Sequence, residues 1–204
     1  MNTEEKFNFK CVHCGNCCTD PSTIVNLSYS DLLRIQKGLD LNLNELLEIV
    51  GFYIFTTKLD DSTRKKLVTP PLKTEKGFSY IGLLKEKNGQ CIFYDNRDKR
   101  CKIYSLRPNF CRTFPFTFQY NQNSDELKIL ITDKGKEFCL GLTQDAPPID
   151  KTYWLKLGER VLMDLKKNYR FIEQWNSLVK NKKVKASAKE FLQKLLKLDE
   201  DKKN

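Results

Sequence analysis

The chain has 204 residues, 40% hydrophobic, 11% aromatic and 30% charged, so it can bury an ordinary core and is not a disordered polymer. No apolar run reaches the ~18–20 residues of a membrane span, and the polar start Met1-Asn2-Thr3-Glu4-Glu5-Lys6 offers no secretory stretch, so a cytoplasmic protein without membrane contact is expected. The formal charge is +10, but residues 151–204 carry 15 Lys/Arg against 7 Asp/Glu, a net of +8, leaving only +2 for residues 1–150.

In chain order, a cysteine-rich segment comes first. Ser28-Tyr29-Ser30-Asp31 then has the form of a capping box, opening a helix with Leu32, Leu33 and Ile35 that Gly38 can stop. Asn42 or Asn44 caps a second helix with Leu46, Leu47, Ile49 and Val50, ending at Gly51. Pro70-Pro71 excludes a helix from the mixed stretch 52–90. Phe78 to Leu84 and Cys91 to Tyr94 read as strands around the turn Lys87-Asn88-Gly89, and a polar turn from Asp95 to Arg100 leads into Cys101. Phe116 to Tyr120 and Leu127 to Thr132 flank a further turn, Asn121-Gln122-Asn123-Ser124-Asp125.

Beyond Ala146-Pro147-Pro148 the period changes. Trp154, Leu157, Val161, Leu165, Tyr169 and Ile172 recur at helical spacing. Asn181-Lys182-Lys183 interrupts them, and Ser187-Ala188-Lys189-Glu190 caps a last helix with Phe191, Leu195 and Leu198. Helices, short strands, then helices, without βα alternation, give an α+β class. The expected organisation is a small irregular cysteine-centred domain over 1–145 and a basic helical extension over 146–204.

Eight cysteines accompany a single histidine. Cys11, Cys14, Cys17 and Cys18 lie within eight residues; Cys91, Cys101 and Cys111 follow at ten-residue intervals, and Cys139 is last. Disulfides, free core thiols and metal ligands compete as explanations. A reducing compartment disfavours disulfides, and vicinal Cys17-Cys18 is an awkward staple. Four cysteines on a Gly-interrupted segment are not a packing pattern. Metal ligation has a positive reason: Cys-x-x-Cys turns aim two sulfurs at one point, and Gly15 permits a tight bend. Three cysteines at this spacing with a remote fourth is the ferredoxin manner of holding an iron–sulfur cluster, although the usual fourth cysteine followed by proline is absent and Cys18 follows directly. Eight ligands suffice for two tetrahedral sites or one multinuclear cluster, of Zn²⁺ or of iron and sulfide. Arg107 and Arg112 flank Cys111 and can offset thiolate charge, while Pro108 and Pro115 direct the chain around it.

The ordered motifs Cys11-x-x-Cys14-x-x-Cys17-Cys18, Cys91 with Phe93, and Cys101-x-Ile103-Tyr104-x-x-Arg107-Pro108-x-x-Cys111-Arg112-x-Phe114-Pro115 resemble the cysteine-cluster family named for Cys-x-x-Cys-x-x-Cys-Cys, a zinc- or iron-chelating domain. Phe138-Cys139-Leu140-Gly141-Leu142 is similar to that family's closing Cys-Pro-Gly segment, with Leu140 in the proline's place. The resemblance spans about 7–142 and implies metal binding, with an iron–sulfur centre as one form. A flagellin lysine N-methylase is related to this family, which adds methyl transfer to the candidate activities.

His13 sits between two cysteines and can ligate zinc, but its neighbours already supply the sulfurs; as the sole histidine it also leaves Cys/His catalysis without a general base. Asp60-Asp61 reads as a solvated pair, and no glycine-rich phosphate loop occurs. Three functions are therefore weighed: a metal protein with iron–sulfur oxidoreductase chemistry, a metal-dependent methyltransferase, and a zinc-scaffolded module. The last would present Lys180, Lys182, Lys183, Lys185 and Lys189 to nucleic acid or a ribosomal surface, with Phe171 and Trp175 available to stack on bases.

Overall fold

A computed structural model describes residues 6–55, 67–121 and 124–200, the side chains of 198–200 excepted. Asp60-Asp61, Gln122-Asn123 of the predicted turn and the Leu198 side chain lie outside the described residues. The architecture is α+β. Helices α1 (Asn16–Thr19), α2 (Tyr29–Gly38) and α3 (Leu43–Ile49) precede strands β1 (Val50–Tyr53), β2 (Leu72–Thr74) and β3 (Gly77–Leu83). Two short strands, β4 (Tyr94–Asp95) and β5 (Arg100–Cys101), then lead through a 3₁₀ turn at Tyr104–Leu106 into α4 (Asn109–Thr113). Strands β6 (Phe116–Tyr120) and β7 (Leu127–Ile131), then α5 (Asp133–Phe138), α6 (Lys151–Lys180) and α7 (Ala188–Glu200), complete the order.

Local chemistry explains the first helices. Ser28 Oγ accepts from Asp31 N at 3.3 Å while Asp31 Oδ2 accepts from Ser28 N at 2.9 Å, the reciprocal bonds of a capping box. Asn42 and Glu45 repeat the device at α3. The second helix ends earlier than its apolar pattern suggests: Val50 and Gly51 belong to β1, where they pair with Leu83 and Gly82. β3 is the centre of an antiparallel sheet, β1-β3-β2. The expected hairpin around Asn88-Gly89 reduces to one bridge, Lys85 with Cys91, since the Cys91 N–H is given to Cys18 O at 2.8 Å. β6 and β7 pair in the register Phe116 with Ile131 through Tyr120 with Leu127.

Two apolar clusters form. The larger joins α2, α3 and the central sheet to the C-terminal helices through Phe171, Ile172, Trp175, Phe191, Leu192 and Leu195. The smaller packs Phe116, Phe118 and Ile129 against Trp154, Leu157 and Val161. Helix α6, roughly 45 Å long at the α-helical rise, therefore serves both. Its buried stripe continues through Asn168 rather than Tyr169: Asn168 is 3% exposed and its Oδ1 accepts from Tyr29 N at 2.9 Å, whereas Tyr169 is 50% exposed. Phe171 and Trp175 are buried, and Trp175 Nε1 donates to Lys73 O at 2.8 Å, so neither is available to stack on bases. Lys180, Lys182, Lys183, Lys185 and Lys189 are exposed. Among the described residues, no helix is long and apolar enough to cross a membrane.

Candidate metal centre

All eight cysteines line one recess that is partly open to solvent. Four come from the first turn of chain. Gly15 takes φ +80 and opens α1, with Cys18 N donating back to Gly15 O at 2.8 Å; this bend separates Cys14 before the helix from Cys17 and Cys18 within it. Gly15 also meets the Tyr94 ring, since a Cβ there would stand 2.2 Å from Tyr94 Oη. Cys91 is held beside Cys18 by its backbone bond, and Tyr94 N donates to Cys91 O at 2.9 Å. The β4–β5 pairing sets Tyr94 opposite Cys101. Cys111 lies in α4, a helix with no side-chain cap of its own.

That cap comes from elsewhere. Asp31, 1% exposed in α2, accepts from Asn109 N at 2.9 Å and from Arg34 Nη2 at 2.5 Å with the same carboxylate oxygen. Arg34 Nη2 in turn donates to Arg107 O at 2.8 Å. The Arg107-Pro108-Asn109 approach to Cys111 is thus pinned to α2 by a partly buried ion pair. At the far end, Lys10 N donates to Gly141 O at 3.1 Å and Phe9 N to Pro147 O at 3.0 Å, drawing Cys11 alongside Cys139. This approach is so close that a Cβ on Gly141 would sit 2.3 Å from Lys10 O. Asn16 Nδ2, bonded to Phe138 O at 3.0 Å, ties α1 to the same segment. Below α1, Lys134 Nζ bonds the Asp20 carboxylate together with Ser22 and Thr23, bracing α1 against α5.

Exposure is graded: Cys11, Cys14 and Cys17 are exposed, Cys91 is buried, and Cys18, Cys101, Cys111 and Cys139 lie between. Burial pushes the thiols of Cys91, Cys101, Cys111 and Cys139 above their ordinary range. Cys17 departs from this. The Cys18 thiol, 4.0 Å away sulfur to sulfur, favours the Cys17 thiolate, and Arg107 adds a favourable charge, so the Cys17 pKa falls to about 7 while that of Cys18 rises. Arg107 also opposes the upward shifts of Cys101 and Cys111. It stacks 3.6 Å from the Tyr104 ring centroid and its Nε donates to Tyr104 O at 3.0 Å, which fixes the guanidinium over the recess. Arg112 does not line the recess, so only one of the two predicted arginines reaches the thiols.

His13 lines the recess, but its ring packs against Tyr104 at 5.0 Å. Among the described residues, no three Cys, His, Asp or Glu side chains are arranged to hold a single metal ion. The recess gathers the sulfurs without closing them on one point. Sequence reasoning missed Tyr94 and Lys99, both lining residues, and Lys85 beside Cys91. Tyr94 carries a readable hint, since it lies three residues beyond a ligand-type cysteine; the expected strand from Cys91 to Tyr94 is instead a turn at 92–93 that leads into β4.

The comparisons with known proteins agree with this chemistry. The chain is 29% identical over 155 residues to "Uncharacterized protein MJ0661" of Methanocaldococcus jannaschii, covering 76% of this chain and 68% of that one. No solved structure gives a significant match. The model of the CxxCxxCC family, described as "Putative zinc- or iron-chelating domain", matches residues 10–139, from the residue before the first recess cysteine to the last of them. The chain belongs to the CxxCxxCC family.

Proposed function

We propose that the protein is a thiolate-held iron–sulfur protein of the oxidoreductase class. The observation that carries this reading is the form of the recess: eight cysteines line it, three of them exposed, and among the described residues no three converge on a single ion. Structural zinc sites are closed and tetrahedral, with four ligands around one ion. The cysteines of a cluster stand farther apart, because irons and sulfides lie between them. An iron–sulfur centre supplies one-electron transfer and, at an iron not fully ligated by protein, a Lewis-acidic position.

The chain's own residues have definable tasks. Cys91, Cys101 and Cys111 come from the half-buried floor, where low polarity favours a centre of small net charge. Arg107 supplies a fixed positive charge beside Cys17, Cys101 and Cys111. Phe114 and Phe138, stacked at 6.0 Å, wall the recess and limit water.

The test is iron, zinc and acid-labile sulfide analysis of protein purified and examined without oxygen. A brown protein with iron and sulfide in similar amounts is the expected result. A colourless protein with stoichiometric zinc refutes the iron–sulfur reading in favour of a zinc scaffold, and a fully folded protein that takes up neither metal refutes metal binding altogether.

A further inference from the structure

Helix α6 buries one stripe and leaves another bare. Tyr153, Lys156, Arg160, Met163, Lys167 and Arg170 recur at alternating intervals of three and four residues, so they share one line along the helix. All six are exposed. The line carries four cations and no carboxylate; Glu159 and Glu173 stand on a neighbouring line, with Lys166 between them. Among the described residues, none of the four cations forms an ion pair. Arg160 Nε donates to Lys156 O at 3.3 Å, which lays its guanidinium along the helix surface.

The direction of this line is fixed by what lies behind it. Trp154, Leu157 and Val161 are held in the smaller apolar cluster, and Phe171, Ile172 and Trp175 in the larger, so α6 cannot turn about its axis. We infer that the exposed line of α6 is a docking surface for the phosphodiester backbone of nucleic acid, bound without sequence preference. This inference does not depend on the metal centre.

The spacing of the charges selects that partner. From Lys156 to Arg170 the helix advances roughly 21 Å, so the four cations are spread out rather than gathered on one small anion. A duplex strand presents a negative charge about every 3.4 Å of its axis, a regular anionic row that an extended cationic row can follow. Arginine adds paired donors that match two phosphate oxygens. A membrane surface fits less well, because an interfacial helix must insert an apolar face, and that of α6 is committed to the two clusters. Tyr153 and Met163 are the only apolar members of the line. The surplus of positive charge in residues 151–204, a net of +8, draws a polyanion to this side of the molecule.

The experiment measures fluorescence anisotropy of labelled RNA and DNA duplexes with the full chain, purified without oxygen. Wild type is compared with a variant carrying Lys156→Gln, Arg160→Gln, Lys167→Gln and Arg170→Gln. A second variant, with Lys180→Gln, Lys183→Gln, Lys185→Gln and Lys189→Gln, removes the same charge away from the line. Wild type is expected to bind duplexes of unrelated sequence alike, with affinity falling steeply as salt rises. The line variant should bind at least about tenfold more weakly at about 50 mM salt, and its salt slope should flatten by about 3, since each phosphate contact contributes about 0.9. The second variant should lose about threefold or less. All eight side chains are exposed, so both variants should keep the wild-type circular dichroism and melting point; Arg160→Glu alone serves if the line variant does not fold. Equal losses in the two variants would mean that net charge, not the line, draws the partner, and would overturn the inference. So would wild type that leaves both duplexes unbound, or that binds polyglutamate or anionic lipid vesicles more tightly than either duplex. Comparing the RNA and DNA arms then tells which backbone is preferred.

Discussion

Replacing Asp31 by alanine removes a buried acceptor that ties the start of α2 to the N-terminus of α4. Its carboxylate takes Ser28 N at 2.9 Å and Ser28 Oγ at 2.8 Å on one oxygen, and Arg34 Nη2 at 2.5 Å and Asn109 N at 2.9 Å on the other. Alanine leaves the α4 N-terminus uncapped and the Arg34 guanidinium unpaired. Removing one partner of a buried ion pair costs about 3–5 kcal/mol, and Arg34, with its side chain 25% exposed, can recover some hydration, so the expected loss is about 3 kcal/mol. Arg34→Met removes one of the four bonds to Asp31 together with the bond to Arg107 O, leaves three donors on the carboxylate, and is expected to cost about 2 kcal/mol. Urea unfolding of the metal-loaded variants measures both. Because Asn109 opens the helix that carries Cys111, Asp31→Ala should also release metal faster to a chelator at zero denaturant. A loss below about 1 kcal/mol, or an Arg34→Met variant as unstable as Asp31→Ala, would refute the reasoning, since the carboxylate would then not be the hub.

Other perturbations have equally definite outcomes. Gly15→Ala places a Cβ against Tyr94 at φ +80, which costs about 1–2 kcal/mol from the backbone alone; loss of metal affinity, measured by chelator competition, should accompany it, and Gly77→Ala, with open space around it, is the control for positive φ by itself. Trp175→Ala removes a 1% exposed side chain and its bond to Lys73 O, an expected cost of about 3–5 kcal/mol by thermal or urea unfolding; a near-neutral result would mean that α6 is not packed in the main core. The pH dependence should differ in sign between loaded and metal-free protein. In the metal-free fold, the raised thiols of Cys91, Cys101, Cys111 and Cys139 contribute stability that is full below their unfolded pKa and fades as pH rises through the folded values. Metal must displace those protons, so its affinity should climb with pH by up to about tenfold per unit for each proton released. Parallel unfolding curves from pH 6 to 10, with and without metal, should diverge at the alkaline end.

Features encoded within a few residues were legible in the sequence, and features that depend on remote partners were not. The capping box at Ser28 needs only residues three apart, so α2 begins where the pattern puts it, and α3 takes Asn42, one of the two caps the pattern allows. Val50 and Gly51 look like the end of a helix because nothing nearby shows that Leu83 and Gly82 will pair with them. α4 was invisible for a similar reason: its cap is Asp31, far upstream. On α6 the helical period was correct, but the stripe passes through a polar residue, since Asn168 answers the open Tyr29 N–H and an apolar side chain could not. At the site, the types and spacing of the cysteines announced a metal. Which of the two flanking arginines turns inward, and that Cys11 lies beside Cys139 while Cys18 lies beside Cys91, are decided by the path of the backbone.

The meeting of Cys11 with Cys139 has a consequence for biosynthesis. The two residues emerge from the ribosome roughly 130 positions apart, an interval of roughly 6–26 s at the usual ~5–20 residues per second. Throughout that interval the first four thiols, already clustered and with no floor beneath them, are free to capture stray metal or oxidant. The finished recess can form only after Gly141 has arrived to receive the Lys10 N–H, and α6, which bridges both apolar clusters, follows later still. Closure of the recess around its eight thiols is therefore a late step of synthesis, reached once Gly141 and α6 have emerged.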